Sequence, residues 1–317
     1  MRAMVTPEFG PPSLFEERDV EKPEAKAGGI LIRVMASGAN PVDAKIRNGD
    51  IPAVEPPVIL GSDVSGVVEE VGLGVADFEP GDEVYATLEL FGPGSNGGHA
   101  EYVSAPSSIV ANKPPSLSHE EAAAVPLAGG TAYEAIVRRL GVLPGEVVVI
   151  HGGAGGVGSF AVQIARAAGA FVIATAGPDN QNTLKSLGAD VAVDYKSEDI
   201  SEVALAHTNG GGADAVFDTA GGDIVEKSAQ YIRPFGRVAT ILGPSGDFTQ
   251  LYLKNQTLYG TFLTRERKRL DELTRLIEQG KVKPLVDEVL ELGEIAKAHE
   301  RLDSGHGRGK IVLRVAE

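Results

Sequence analysis

Seven residues carry the strongest chemical signal in the chain. Gly152-Gly153-Ala154-Gly155-Gly156-Val157-Gly158 lies between an apolar run at 146–151 and a stretch with Phe160, Ile164, Ala165 and Ala168 at helical spacing. A strand that turns sharply into a helix aims backbone N–H groups and the positive end of the helix dipole at an anion. Gly153 permits the tight turn, Gly155 lets backbone approach a pyrophosphate, and Gly158 lets the helix pack on the strand. The reading is a dinucleotide site built on Gly153, Ala154, Gly155, Gly156, Val157 and Gly158. Context decides this, because Gly92-Pro93-Gly94-Ser95-Asn96-Gly97 has the same glycine spacing. A β-like stretch follows that second motif, so it offers no helix end to an anion and is rejected.

The choice of dinucleotide turns on the second strand of the pattern, 171–176, which ends Ala174-Thr175-Ala176-Gly177. Sites for NAD place Asp or Glu there to bond the ribose 2′-hydroxyl. Ala176 stands in that place, which removes one repulsive neighbour of a 2′-phosphate and favours NADPH over NADH. No arginine or lysine follows at once. Asn180, with Gln181 and Asn182, offers amide donors; Tyr195, after the third strand, offers a hydroxyl, and Thr175 is counted with them. Asp179 is the alternative partner, either for a 2′-hydroxyl from a shifted loop or as the N-cap of the next helix.

These residues need a scaffold. From residue 146 the chain alternates strand-like and helix-like runs: 146–151, the helix after the glycines, 171–176, LKSLGA, VAVDY, DAVFDTAGG, a helix around 223–232, and RVATILG. This rhythm predicts an α/β fold with a doubly wound parallel sheet. The first hundred residues differ. GILIRVMASG, DVSGVVEEVG, DEVYATLEL and HAEYVSA are separated by turns such as Glu79-Pro80-Gly81-Asp82, which suits a barrel or sandwich. Ser118 with Glu121 three residues on predicts a capped helix, interrupted near Pro126. RERKRLDELTRLIEQG reads as a charged helix and KIVLRV as a final strand, expected to return to the first domain. The expected domains are therefore 1–120 with 261–317, and 121–260.

Composition removes whole classes. With no cysteine, the chain has no disulfide scaffold, thiolate zinc site, iron–sulfur cluster or cysteine nucleophile. A net charge of −15 argues against a nucleic-acid partner and gives no support for an anionic membrane surface. No run approaches the roughly 18 apolar residues of a membrane span. MRAMVTPEFGPP lacks a signal-peptide core, so a cytoplasmic location is the expectation. No GxSxG elbow or HExxH helix supports a hydrolase.

Several short motifs recur in a specific order: Asn40-Pro41-Val42-Asp43, Arg47-Asn48-Gly49, Leu60-Gly61-Ser62-Asp63-Val64-Ser65-Gly66, Gly81-Asp82-Glu83-Val84, Gly98-His99-Ala100-Glu101-Tyr102, Ala154-Gly155-Gly156-Val157-Gly158, Asp218-Thr219-Ala220-Gly221-Gly222 and Gly309-Lys310-Ile311-Val312. Over nearly the whole chain this order resembles the medium-chain dehydrogenase/reductase superfamily, in its zinc-independent, zeta-crystallin-like quinone-reductase branch. Asn-Pro-Val-Asp-Ala-Lys is also similar to the plant enone and alkenal reductases of that branch. The resemblance implies a discontinuous GroES-like β domain, a Rossmann cofactor domain between its halves, and a cleft where nicotinamide meets substrate. It also implies a homodimer formed by edge strands, with 249–258 as the candidate edge.

Zinc-dependent relatives place cysteine near Asn40 and His-Glu at Ser62-Asp63. The oxygen set here is a poor zinc site, so no metal is expected. Negative charge on the substrate oxygen then needs a fixed donor or cation. Lys45 is the candidate, and the likeness to enone reductases implies that it meets the substrate carbonyl; the alternative is a solvated helix lysine. Lys45 and Ile51 stand where quinone-reductase relatives often carry aromatic residues. Asn40 is expected to bond the nicotinamide ribose or the substrate oxygen, or else to turn the chain before Pro41. Asp43 either accepts from a ribose hydroxyl or caps the helix that begins there. The resemblance places backbone of Leu242, Gly243, Phe262 and Leu263 at the nicotinamide, with Phe262 also walling the substrate pocket. Thr131 either lies near the cofactor or bonds its own helix, and Lys310 is counted among the cofactor-binding residues. His151 and His99 read as packed rather than catalytic.

The resulting expectation is NADPH-dependent, zinc-independent reduction of quinones or α,β-unsaturated carbonyls. The alternatives are a zinc-free alcohol or aldehyde oxidoreductase, and an NADPH-binding sensor or structural protein. The last gains weight because no residue is an indispensable acid or base.

Overall fold

The structure, a computed structural model, describes residues 1–90, 97–305 and 307–316. Residues 92–96 of the rejected glycine motif lie outside that set. The chain divides into two units, Met1–Leu127 with Thr264–Glu278 and Pro284–Glu317, and Ala128–Leu263 with Gln279–Lys283.

The first unit opens with β1 (Arg2–Thr6), β2 (Glu16–Asp19), β3 (Gly29–Ala39), α1 (Pro41–Asn48), β4 (Val58–Ile59), β5 (Asp63–Val71), β6 (Glu83–Thr87), β7 (Tyr102–Pro106), β8 (Val110–Asn112) and α2 (His119–Ala123). Strand β3 is central, pairing antiparallel with β5 and β7. Its Ile30, Ile32 and Val34 are fully buried with Val64, Val84 and Val103. Each such side chain contributes about 1.5–3 kcal/mol by leaving water. Ser118 and Glu121 form the expected capping box of α2. This helix lies so close to β3 that Gly38 has no room for a β-carbon against the Ala123 carbonyl. That packing carries the first unit past the expected boundary at 120, to Leu127.

The second unit contains α3 (Pro126–Tyr133) from Ala128 on, β9 (Val147–His151), α4 (Gly156–Ala167), β10 (Phe171–Ala176), α5 (Gln181–Ser186), β11 (Val191–Asp194), α6 (Ile200–His207), β12 (Ala213–Asp218), α7 (Ile224–Ser228), β13 (Ile232–Thr240), α8 (Thr249–Leu253) and β14 (Thr257–Gly260). Its six strands run parallel in the order β11-β10-β9-β12-β13-β14. Val148, Val149 and Ile150 of β9 are fully buried, as a central parallel strand requires. Strand order reverses beside β9, which is where doubly wound sheets bind ligands at their carboxyl ends. The expected edge at 249–258 begins as α8, because the Asp247 carboxylate accepts from the Thr249 N–H and hydroxyl and starts a helical turn. The edge strand proper is β14.

The chain then returns through α9 (Arg267–Glu278), β15 (Val286–Glu291), α10 (Ile295–Asp303) and β16 (Lys310–Arg314). Strand β16 pairs antiparallel with β3, and β15 pairs parallel with β16. Among the described residues no helix is long and apolar enough to cross a membrane.

Candidate active site

In the second unit, the turn after β9 is held from several sides. Gly152 has φ +69°, a conformation that favours glycine. The Gly153 N–H donates to the Thr175 carbonyl at 2.9 Å, and the Gly155 N–H to the Gly152 carbonyl at 3.0 Å. Gly155 begins α4 in extended conformation with no side chain capping it. Gly155, Gly156 and Val157 remain half-buried at the helix opening, while Ala154 and Gly158 are buried. The first N–H groups of a helix have no intrahelical partner, so they are the donors available to an anion. A pyrophosphate therefore fits this turn.

His151 supports it from beneath. Its Nε2 lies 2.7 Å from the Tyr231 hydroxyl, and its Nδ1 lies 3.4 Å from Thr175 Oγ1. Ser228 Oγ donates to the Ile224 carbonyl and meets Tyr231 at 2.8 Å. The phenol proton therefore goes to Ser228, and His151 donates from Nε2 to the phenol oxygen. Burial lowers the His151 pKa to about 4 against the opposing charge of Asp218, so the ring is neutral and packed, as its sequence position suggested. Asp218 in turn accepts from the N–H groups of Ala220 and Gly221 and from the Thr240 hydroxyl.

At the end of β10, Ala176 is buried, Asp179 is exposed and Asn180 is half-buried. The Gln181 amide nitrogen is spent on the carbonyls of Ala176 and Gly177. Asp179 does not cap α5, whose N-cap is Asn180. Tyr195 is 60% exposed, with its ring edge beside Gly177. Thr175 is buried under the turn, with its Oγ1 3.4 Å from the Gly152 nitrogen. Leu242 is half-buried and Gly243 exposed; Phe262 is 72% exposed, while Leu263 and Thr131 are buried.

In the first unit, α1 carries Lys45 on its exposed side, and the same helix buries Asp43, Ala44, Ile46 and Arg47. Asp43 Oδ2 accepts from the Asn40 N–H at 2.8 Å, so Asp43 closes the start of α1. Burial raises its pKa to about 7. Asn40 and Lys310, expected at the cofactor, turn inward instead. The Asn40 amide nitrogen donates to Asp63 Oδ2 at 3.0 Å and Ser62 Oγ at 3.1 Å. Its Oδ1 accepts from Lys310 Nζ, which also donates to the Ala39 carbonyl at 2.8 Å and lies 3.8 Å from Asp63 Oδ2. With Asn40 1% and Lys310 4% exposed, their polar groups are committed inside the fold. Sequence reading also missed that Arg47 is buried and pairs with Asp303 at 2.7 Å. The 256-residue separation between them leaves no local signal.

Residues 26–115 match the family model described as alcohol dehydrogenase GroES-like domain, and residues 187–313 match the one described as zinc-binding dehydrogenase. The chain is 35% identical to the NADPH-dependent alkenal/one oxidoreductase of Arabidopsis thaliana chloroplasts, over 99% of this chain and 79% of that protein. It is 34% identical to the chloroplast envelope quinone oxidoreductase homolog of the same plant, over 94% and 93%. The solved structure of an NAD-dependent alcohol dehydrogenase superimposes with a TM-score of 0.94 at 35% identity, covering all of both chains.

The zinc implied by one family description does not fit the residues here. Asn40, Ser62 and Asp63 form an oxygen set into which the Lys310 ammonium already projects. Zinc sites favour thiolate, imidazole and carboxylate donors around an open centre. Among the described residues no three His, Cys, Asp or Glu side chains converge on a metal position.

Proposed function

The chain belongs to the medium-chain dehydrogenase/reductase superfamily, and from that premise we propose that it is an NADPH-dependent, zinc-independent oxidoreductase that reduces quinones or α,β-unsaturated carbonyls. The observation that carries the reading is the glycine turn after His151, with helix N–H groups open at the point where strand order reverses.

Bound NADPH supplies the hydride; the chain supplies binding, orientation and charge stabilisation. Backbone N–H groups at the opening of α4, residues 156–158, hold the pyrophosphate, and the rest of the turn at 153–155 shapes the approach. Alanine at 176 leaves room for a 2′-phosphate where NAD sites place a carboxylate, and Asn180 and Tyr195 donate to that phosphate. Thr131, Leu242, Gly243, Phe262 and Leu263 border the nicotinamide. Lys45 faces the substrate oxygen, where negative charge grows as hydride reaches the electron-poor carbon, and its ammonium lowers that barrier. Water returns the proton. Asn40 and Asp43 act through the fold, by fixing α1. The proposal includes a homodimer paired through β14, which is an edge strand of the parallel sheet, and a cytoplasmic location.

A second reading, zinc-free oxidation of alcohols or reduction of aldehydes, is favoured by the likeness to the solved NAD-dependent alcohol dehydrogenase. Loss of reduced-nicotinamide absorbance with a panel of enones, quinones, aldehydes and alcohols separates the two. NADPH oxidation by enones or quinones supports the first. Turnover confined to alcohols and aldehydes supports the second, and tight binding without turnover leaves a binding protein.

A further inference from the structure

The start of α1 is tied to three distant parts of the first unit by one buried polar cluster. The antiparallel register of β3 and β16 sets Ile311 opposite Ala39, which brings Lys310 beside Asn40 across 270 residues of sequence. Lys310 meets the Asn40 side-chain oxygen, while the Asn40 amide nitrogen reaches Ser62 and Asp63 at the start of β5. Asp63 uses its other oxygen to accept from the Leu127 N–H at 2.9 Å. Asp43 closes the first turn of α1 by accepting from the Asn40 N–H at 2.8 Å. Asp43, Asp63, Asn40 and Lys310 are all nearly or fully buried; the Lys310 ammonium lies 3.8 Å from Asp63 Oδ2, and its charge also acts on Asp43.

Buried carboxylates are costly unless a cation or several donors face them. Lys310 supplies that cation here, and its donation to Asn40 sets which way the amide points. A neutral residue at 310 leaves Asp63 and Asp43 facing each other without it, and frees Asn40 to rotate. The first turn of α1 is then released, and Lys45 rides on that helix.

We propose that Lys310 is a positioning residue for the reductase reaction: its buried ammonium locks Asn40 and balances Asp43 and Asp63, and so fixes α1 and the direction in which Lys45 projects. This rests on the reading of Lys45 given above. It replaces the expectation that Lys310 binds the cofactor.

The experiment compares the full-length wild type, Lys310→Met, and the double variant Lys310→Met/Asp63→Asn, which removes both charges together. Amide hydrogen exchange over residues 41–48 reads the helix directly and independently of activity. Faster exchange there in Lys310→Met, with kcat for an enone falling about tenfold or more and the NADPH dissociation constant changed less than twofold, is the expected result. The double variant, in which Asp43 no longer has the Asp63 charge beside it, recovers part of the exchange protection and of kcat, since Asn40 still lacks its Lys310 donor. Unchanged exchange and kcat in Lys310→Met would overturn the proposal. So would a weakened affinity for NADPH at unchanged kcat, since that is the signature of a cofactor contact. If Lys310→Met does not fold, failure of the double variant to restore folding and protection overturns it equally. Should none of the acceptors support NADPH oxidation by the wild type, the functional reading falls, while the exchange data still decide what Lys310 does to α1.

Discussion

Gly158 packs directly on the carbonyl oxygen of Gly152, with no room for a β-carbon between them. Helix α4 can approach β9 only because residue 158 has no side chain. Gly158→Ala must push the helix opening off the turn. NADPH affinity should fall about tenfold or more, a loss of at least about 1.4 kcal/mol. Calorimetry with NADPH measures this, and far-UV dichroism shows whether the fold survives. An unchanged affinity would remove the turn from the site.

Lys45→Ala keeps α1, because the helix is anchored through its other face. Removing one charged donor from a developing oxyanion costs about 100-fold or more in kcat. The expected outcome is that loss with enones at unchanged NADPH affinity. Steady-state kinetics separates the effects, and an unaltered kcat would take Lys45 out of the mechanism.

Arg47 is 1% exposed, and its guanidinium is held by the Asp303 carboxylate, by the Gly10 carbonyl and by Asn48. Asp303→Ala strands that buried cation. The expected loss is about 3 kcal/mol in a urea titration, the low end for a broken buried pair because Asp303 is itself partly exposed. A loss below measurement error would show that the backbone and Asn48 hold the charge unaided.

His99 and His299 lie in the first unit with ring centroids 6.3 Å apart. Burial lowers the pKa of His99 to about 3, and burial, then His99 and Arg47, lower that of His299 to about 2. The unfolded chain takes up these protons near pH 6.5 and the folded chain does not. Their stabilising contribution is therefore complete above pH 6.5 and shrinks as pH falls toward those lower values. Asp43 works oppositely: its raised pKa gives a contribution complete below 3.8 and lost as pH rises through about 7. Among the described residues neither nitrogen of His299 has a hydrogen-bond partner, so His299→Leu removes one titration without leaving a polar atom unpaired. Between pH 6 and about 3 the variant should lose stability less steeply than the wild type, by about 1.4 kcal/mol per pH unit. Urea midpoints across that range test it, and parallel curves would contradict it.

The features that are legible in the sequence are local ones. The glycine turn, the alternation of strand and helix, the Ser118–Glu121 cap and the alanine at 176 each declare themselves within a few residues, through periodicity, turn chemistry or a missing charge. Asn40 misleads because its type and place before Pro41 suit a ligand hook. Its direction is set by Lys310 and Asp63, which only the β3–β16 and β3–β5 pairings bring near. The pairing of Arg47 with Asp303 is hidden for the same reason. The boundary expected near 120 falls at the start of a helix, but the packing of that helix on Gly38 assigns it to the first unit.

The central claim is hydride transfer to an electron-poor organic acceptor from NADPH held on the β9–α4 turn, with no metal ion taking part. The most direct measurement is a single turnover of chelator-treated, metal-assayed protein, mixed with NADPH and an enone or quinone and followed by the loss of reduced-nicotinamide absorbance. The account predicts full turnover at a metal content far below one per chain, with deuterium from the C4 position of labelled NADPH recovered in the product. Turnover that disappears with chelation and returns with zinc would contradict it.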